Sequence, residues 1–183
     1  ILKNEPESAS EYLAKFSRLI RLILQNSSAP VVALDSELEA LRLYLEMEAL
    51  RFRNKFTYQI DLDPDLETDE VEIPPLLIQP YVENAIWHGL MHKEGVGHIA
   101  IGLNMADDVL TCSIEDDGVG RKRAAELKSK SATRNKSLGI QITSHRIKLI
   151  NDLHGKQTSM QIVDLVDASG ETCGTRVILN IAV

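Results

Sequence analysis

The hydrophobic period of this chain changes once, near residue 54, and that change restricts the fold more than any other feature. Upstream, apolar residues recur at helical spacing. Leu13, Phe16, Ile20 and Ile23 lie three, four and three residues apart, a stripe along an amphipathic helix. Ser8-x-x-Glu11 reads as a capping-box start, and Asn26-Ser27-Ser28-Ala29-Pro30 as a stop. A second helix is predicted from Asp35-Ser36, with Ser36-x-x-Glu39 as its capping box. It carries two stripes: Leu38, Leu41, Leu45, Ala49 and Phe52, and then Leu43, Met47 and Leu50. Two stripes on one helix predict packing on two sides.

Downstream the period falls to two. Phe56, Tyr58, Ile60 and Leu62 alternate with polar residues, as a half-buried strand does. His98–Met105 and Val109–Asp116 read as an antiparallel hairpin joined at Ala106-Asp107-Asp108. Met160–Val166 and Thr175–Ile181 read as two closing strands around a Ser169-Gly170-Glu171 turn. Between the strand runs lie two helical stretches. In the first, Ile78, Val82, Ile86 and Leu90 share one face and Asn84, Trp87, His88 and Met91 another; the second is Leu138–Leu153. The expected fold class is α+β: a helical segment over residues 1–53, then a domain over 54–183 built on a mixed sheet covered on one face by helices.

Composition narrows the function classes. The net charge of −7 argues against sequence-independent nucleic-acid binding, which needs phosphate neutralisation. No apolar run is long enough to cross a bilayer, so any membrane attachment is expected through parts outside this piece, and the location is expected to be cytoplasmic. The chain begins at Ile1 and is expected to be a piece of a longer protein. Cys112 and Cys173 each sit in a strand-like run and are expected to be buried free thiols. The acidic stretch from Asp61 to Glu72, with Pro64, is expected to be a solvated loop.

Four features carry chemistry. Asn84, with Glu83 beside it, offers a carboxamide oxygen of the kind Mg²⁺ takes when phosphate and water supply its other ligands. Asp116-x-Gly118-x-Gly120 ends a strand; its glycines permit close backbone approach, and its carboxylate can accept a hydrogen bond from the exocyclic amine of adenine. Ser137-Leu138-Gly139-Ile140 opens a helix, whose free N–H groups and positive dipole end suit phosphate. Between these elements, residues 121–136 carry Arg121, Lys122, Arg123, Lys128, Lys130, Arg134 and Lys136 against one acid, Glu126. A mobile basic stretch there is placed to close over polyphosphate. His88 shares Asn84's face at i+4, open to a phosphate contact or to a packing role.

In this order and spacing the four features resemble the Bergerat-type ATP-binding fold shared by DNA gyrase, the Hsp90 chaperones, sensor histidine kinases and MutL. Further motifs narrow the resemblance to LytS-like sensor histidine kinases: Leu34-x-x-Glu37-Leu38, Tyr44-Leu45-Glu46-Met47-Glu48, Pro74-Pro75-x-x-x-Gln79-Pro80-x-Val82-Glu83-Asn84-Ala85-x-x-His88-Gly89, and Leu138-Gly139-Ile140 with Arg146-Ile147. The resemblance covers essentially the whole chain. It implies that Asn84 is the Mg²⁺ ligand, with Glu83 and His88 as catalytic candidates beside it. Asp116, Gly118, Gly120, Leu138, Gly139, Thr175, Arg146 and Lys136 would then form the ATP site, with Gly174-Thr175 completing the adenine pocket. It further implies a phosphoacceptor histidine upstream, a homodimer through the helical region, and a response regulator receiver domain as partner.

The chain departs from that pattern at four places, one of them Ile142 in place of a frequent asparagine. Trp87 stands where such kinases commonly carry a lysine near the phosphates, and Ser137 replaces a usual glycine. Pro80 lies four residues before Asn84, where related ATPases place a second polar residue. Two other readings stand beside the kinase: another ATPase of the same fold, and a nucleotide-binding or dimerisation module that signals without phosphoryl transfer.

Overall fold

The computed structural model describes residues 6–130, 147, 151 and 158–183. Lys136, Ser137, Leu138, Gly139 and Arg146 lie outside the described residues. Of the helix predicted over Leu138–Leu153, only Ile147 and Asn151 are described, both helical. The chain divides into two compact units. One holds the residues up to Asn54 together with Glu67–Leu76; the other holds Lys55–Leu66 and everything from Leu77 onward.

In the first unit, α1 (Pro6–Ser27) and α2 (Leu34–Arg51) pack against each other. Leu19 meets Ala40, Leu43 and Met47, with Tyr12, Leu22, Ile23 and Tyr44 around them. Of the predicted stripe Leu43, Met47 and Leu50, the first two are buried here and Leu50 is exposed; Leu38, Leu41 and Leu45 of the other stripe are buried as well. Two expectations fail here. Ser8 lies inside α1 rather than capping it. And α2 uses no capping box: Ala33 is its N-cap, and the Ser36 hydroxyl donates to Asn26 Oδ1 at 3.0 Å. The first α2 donors are met from elsewhere in the unit. Leu34 N–H donates to Val71 O (2.8 Å) and Asp35 N–H to Thr68 O (3.0 Å). A short antiparallel pair, β1 (Val32–Ala33) with β3 (Glu72–Ile73), fixes that approach. Leu13, Phe16, Ile20 and Leu24 leave an exposed apolar stripe on α1.

The second unit is a five-stranded mixed sheet: β2 (Phe56–Leu62), β4 (Gly97–Ala106), β5 (Val109–Asp116), β6 (Ser159–Val166) and β7 (Thr172–Ala182), in the order β2-β4-β5-β7-β6. Only β2 runs parallel to its neighbour. Asp107 and Asp108 both take left-handed φ (46° and 57°), the conformation a two-residue hairpin turn requires. Register explains the core. Leu62, Leu103, Cys112, Leu179 and Met160 form one cross-strand row, and Ile60, Ile101, Ile114, Val177 and Ile162 the next. The third row reads Tyr58, Ile99, Asp116, Thr175, Asp164. The apolar face therefore turns polar on its third row, at the C-terminal end of β5. Helices cover this face: the turn after α3 (Gln79–Asn84) contacts β5 and β7, and α4 (Gly120–Lys130) contacts β6 and β7. The opposite face pairs polar groups, as in Arg176 with Glu115 and Thr111 with Asn180.

Two further corrections belong here. The stretch after Gly120, expected to be a mobile basic lid, is a helix as far as Lys130. Cys112 is buried as expected, but Cys173 is exposed.

Candidate functional site

The helix carrying Asn84 is short and irregular. Pro80 enters in the first turn of α3, where its missing N–H costs nothing. After Asn84 the backbone widens into a π turn, Ala85–Gly89, then tightens into a 3₁₀ turn, Leu90–His92. Ile78, Val82, Ile86 and Leu90 are all buried, so the predicted apolar face survives the change of pitch. Turns of this kind occur often at functional sites. Here the widened turn brings Gly89 against Asp116: a Cβ on Gly89 would stand 2.5 Å from Asp116 Oδ1.

Tyr81, Asn84, Ala85 and His88 line a cavity of about 240 Å³. Its other walls come from Gly89, the sheet residues Ile114, Asp116, Ile162, Thr175 and Val177, and the first turns of α4 through Gly120, Arg121, Ala124 and Ala125. Of the predicted site residues within the described part, Asn84, His88, Asp116, Gly120 and Thr175 are thus brought to one cavity. Glu83 is not: it accepts a hydrogen bond from Gln79 Nε2 (2.9 Å) and lies off the lining. Gly118 supports the cavity from behind, because a Cβ there would come within 2.5 Å of Gly89 Cα. Gly120 takes φ +73°, which an L side chain rarely adopts. Gly174, at φ +152°, packs directly on the Asp116 carbonyl.

Asp116 is the electrostatic centre. It is 5% exposed and pairs with Thr175 across the β5–β7 ladder. Burial pushes its carboxyl up to about 7, while the Gly118 N–H (2.9 Å to Oδ1) pulls the other way. A carboxyl held this way keeps an oxygen to accept from a ligand N–H inside an apolar enclosure, where such a bond counts for more than in water. Its neighbour Asp117 is used structurally, pairing with Lys93 (2.7 Å) and accepting from His98 N–H (2.8 Å). Asn84 Nδ2 donates to Pro80 O. That use of the amide nitrogen leaves Oδ1 as the group Asn84 can offer a hard cation, so the donor fits the predicted Mg²⁺ role. Among the described residues no cluster of three or more His, Cys, Asp or Glu is placed to hold a metal, so a cation here would take its other ligands from phosphate and water.

Sequence reasoning missed three members of this site. Gly89 was visible beside His88, but its contact with Asp116 depends on the π turn. Arg121 was noted only as one of many cations; it lines the cavity while forming a two-point pair with Asp164 (2.7 and 2.8 Å). Tyr81 sits inside an apolar run and gives no polar signal. Trp87, the departure at a commonly basic position, does not line the cavity.

Comparison with known proteins places these features. A family model described as "Histidine kinase" matches residues 1–56. The sensor protein LytS of Oceanobacillus iheyensis is 32% identical over 166 residues, covering 88% of this chain and 28% of that protein. The chain belongs to the LytS-like sensor histidine kinases. It spans between 20% and 51% of the length of the first curated relatives it matches. Among solved structures, the catalytic domain of histidine kinase ThkA aligns with a TM-score of 0.53 at 17% identity, over 83% of this chain and 93% of that domain. ThkA in complex with the response regulator TrrA gives 0.50 at 16% identity, over 97% of this chain and 52% of that one. Full-length ShkA in complex with AMPPNP gives 0.56 at 15% identity, over 96% and 36%. At these identities the likeness is one of fold, that of histidine kinase catalytic domains. No described helix is long and apolar enough to cross a membrane.

Proposed function

We propose that this chain is the ATP-binding and catalytic part of a two-component sensor histidine kinase, which transfers the ATP γ-phosphate to a histidine in a preceding segment. The observation that carries this reading is the meeting of Asp116, Thr175 and Asn84 at one glycine-lined cavity. Asp116 accepts from the exocyclic amine of adenine, with Gly118 N–H holding its Oδ1 in place. Thr175, its register partner, completes the base pocket. Ile114, Ile162 and Val177 give the base an apolar floor. Asn84 Oδ1 would hold Mg²⁺, which when bound would supply charge stabilisation to the phosphates, and His88 faces the same space one turn on. Phosphoryl transfer asks mainly for positioning and charge stabilisation, which is what such a constellation provides. Lys136, Leu138, Gly139 and Arg146 are assigned to the phosphate end on the family resemblance.

Residues 1–53 serve as the helical dimerisation and linker segment, and 54–183 as the catalytic domain. The exposed stripe Leu13, Phe16, Ile20 and Leu24 on α1 favours a homodimer through that segment. A response regulator receiver domain is the downstream acceptor, and the chain works on the cytoplasmic side of a membrane-anchored sensor.

The test is a calorimetric titration with ATP, with and without Mg²⁺, beside Asp116→Asn, followed by phosphoryl transfer from labelled ATP to the longer chain carrying the upstream helix. Adenine-selective binding lost in Asp116→Asn, and label on histidine, are expected. Binding without transfer would move the signalling-module reading to the front.

A further inference from the structure

Tyr81 lines the cavity and is 1% exposed. Among the described residues its hydroxyl has no hydrogen-bond partner. A buried hydroxyl normally finds one, because leaving it unpaired forfeits the hydration it had in the unfolded chain. Phenylalanine would supply the same ring without that cost. The nearby polar residues each have a partner: Asn84 one turn away donates to Pro80 O, and Asp116 across the cavity accepts from Gly118 N–H. Burial also raises the phenol to about 12, so it is neutral and available both as donor and as acceptor.

The cavity itself shows when the hydroxyl is paired. At about 240 Å³ it is smaller than the roughly 300–1,000 Å³ of most small-molecule sites, so a nucleotide seated in it presses on its walls. Tyr81 is in one of those walls, on the same helical face as Asn84 and Ala85. We infer that Tyr81 is a nucleotide-recognition residue: its hydroxyl, unpaired in the closed cavity wall, takes its hydrogen bond from a nucleoside triphosphate, or from a water that the nucleotide traps, when the cavity fills. This rests on the nucleotide-binding reading and adds a specific contact to it. Orphaning the hydroxyl in the free protein and pairing it in the complex concentrates its whole effect on the binding step.

The experiment is Tyr81→Phe, measured two ways on the same protein: thermal unfolding without ligand, and calorimetric titration with Mg²⁺–ATP. Removing an orphaned hydroxyl should leave the unliganded unfolding midpoint unchanged or higher. Removing a contact made only in the complex should weaken ATP binding by about tenfold, the span of one net hydrogen bond. Affinity then falls with no loss of midpoint, which a purely structural tyrosine cannot produce. A lower midpoint with unchanged ATP affinity would show that the hydroxyl serves the fold and would overturn the inference. So would equal affinity at an equal midpoint. If the parent protein binds no ATP while remaining folded, the nucleotide reading itself fails, and the variant's affinity is not what decides it. Tyr81→Leu, which removes the ring too, separates packing from hydrogen bonding: the inference requires it to lower both midpoint and affinity.

Discussion

Replacing Asp116 by Asn should stabilise the unliganded protein while removing its hold on adenine, and the gain should depend on pH. Burial raises the Asp116 carboxyl from 3.8 to about 7. Between those values the folded chain keeps a proton that the unfolded chain has released. Stability therefore falls as pH rises through this window and is lowest above it. Each tenfold change in proton affinity is worth about 1.4 kcal/mol, which sets a ceiling of about 4 kcal/mol for ionising this group in place. An asparagine keeps the Oδ1 that accepts from Gly118 N–H but adds an NH₂ needing partners, a cost of about 1–3 kcal/mol. About 2 kcal/mol of net gain remains at high pH, or ~4–8 °C in unfolding midpoint for a chain of this size. Near pH 5 only about 2 kcal/mol of that ceiling has accrued, about what the asparagine NH₂ costs, so the two proteins should melt nearly together. Melting curves by circular dichroism from pH 5 to 8 test this. A difference independent of pH, or a variant less stable at pH 8, would refute the argument that desolvation dominates at Asp116. The same variant should lose adenine-selective ATP binding.

Two further outcomes follow from the geometry. Gly118→Ala places a methyl within 2.5 Å of the Gly89 backbone, so one of the two segments must move; unfolding in urea should show a loss of about 2 kcal/mol or more, with ATP affinity falling alongside. Cys173 should react with a thiol reagent in the folded protein and Cys112 only after unfolding, giving a stoichiometry of one that rises to two in denaturant.

The sheet was legible in the sequence because one of its faces is buried. Alternation at Phe56–Leu62 and Val109–Asp116 reports that burial directly, and those two strands have the bounds the alternation predicts. The carboxylate at the cavity was legible too, since a strand-ending Asp followed by glycines is a local pattern. What escaped was non-local. The start of α2 is set by carbonyls of Val71 and Thr68, more than thirty residues away, so the Ser36 box, attractive as it is locally, goes unused. α4 lacks apolar periodicity, and a stretch of Arg, Lys, Ala and Glu reads as a solvated loop unless intrinsic helix propensity is given more weight than pattern. The π turn at Ala85–Gly89 changes pitch within an otherwise regular apolar spacing, so no residue type announces it. Tyr81 and Gly89 entered the site only through that backbone and the β5 end it packs against. The glycine-opened helix at Ser137–Ile140 rests on its motif alone.

The sheet order has a consequence for when this protein becomes competent. Asp116 and Thr175 belong to neighbouring strands separated by a long intervening stretch of chain, and β2 must find β4 by a parallel pairing across some forty residues. Contacts that span so much chain form late and slowly during folding. As the polypeptide emerges during synthesis, the helix with Asn84 and the β4–β5 hairpin with Asp116 are complete well before β7 exists. A chain stopped short of β7 would hold most of the recognisable motif and none of the cavity wall that Thr175 and Val177 supply. On the proposed nucleotide-binding reading, competence thus arrives in a single late step, with the docking of the last hairpin, and any nick or truncation in that hairpin should abolish binding outright rather than weaken it by degrees.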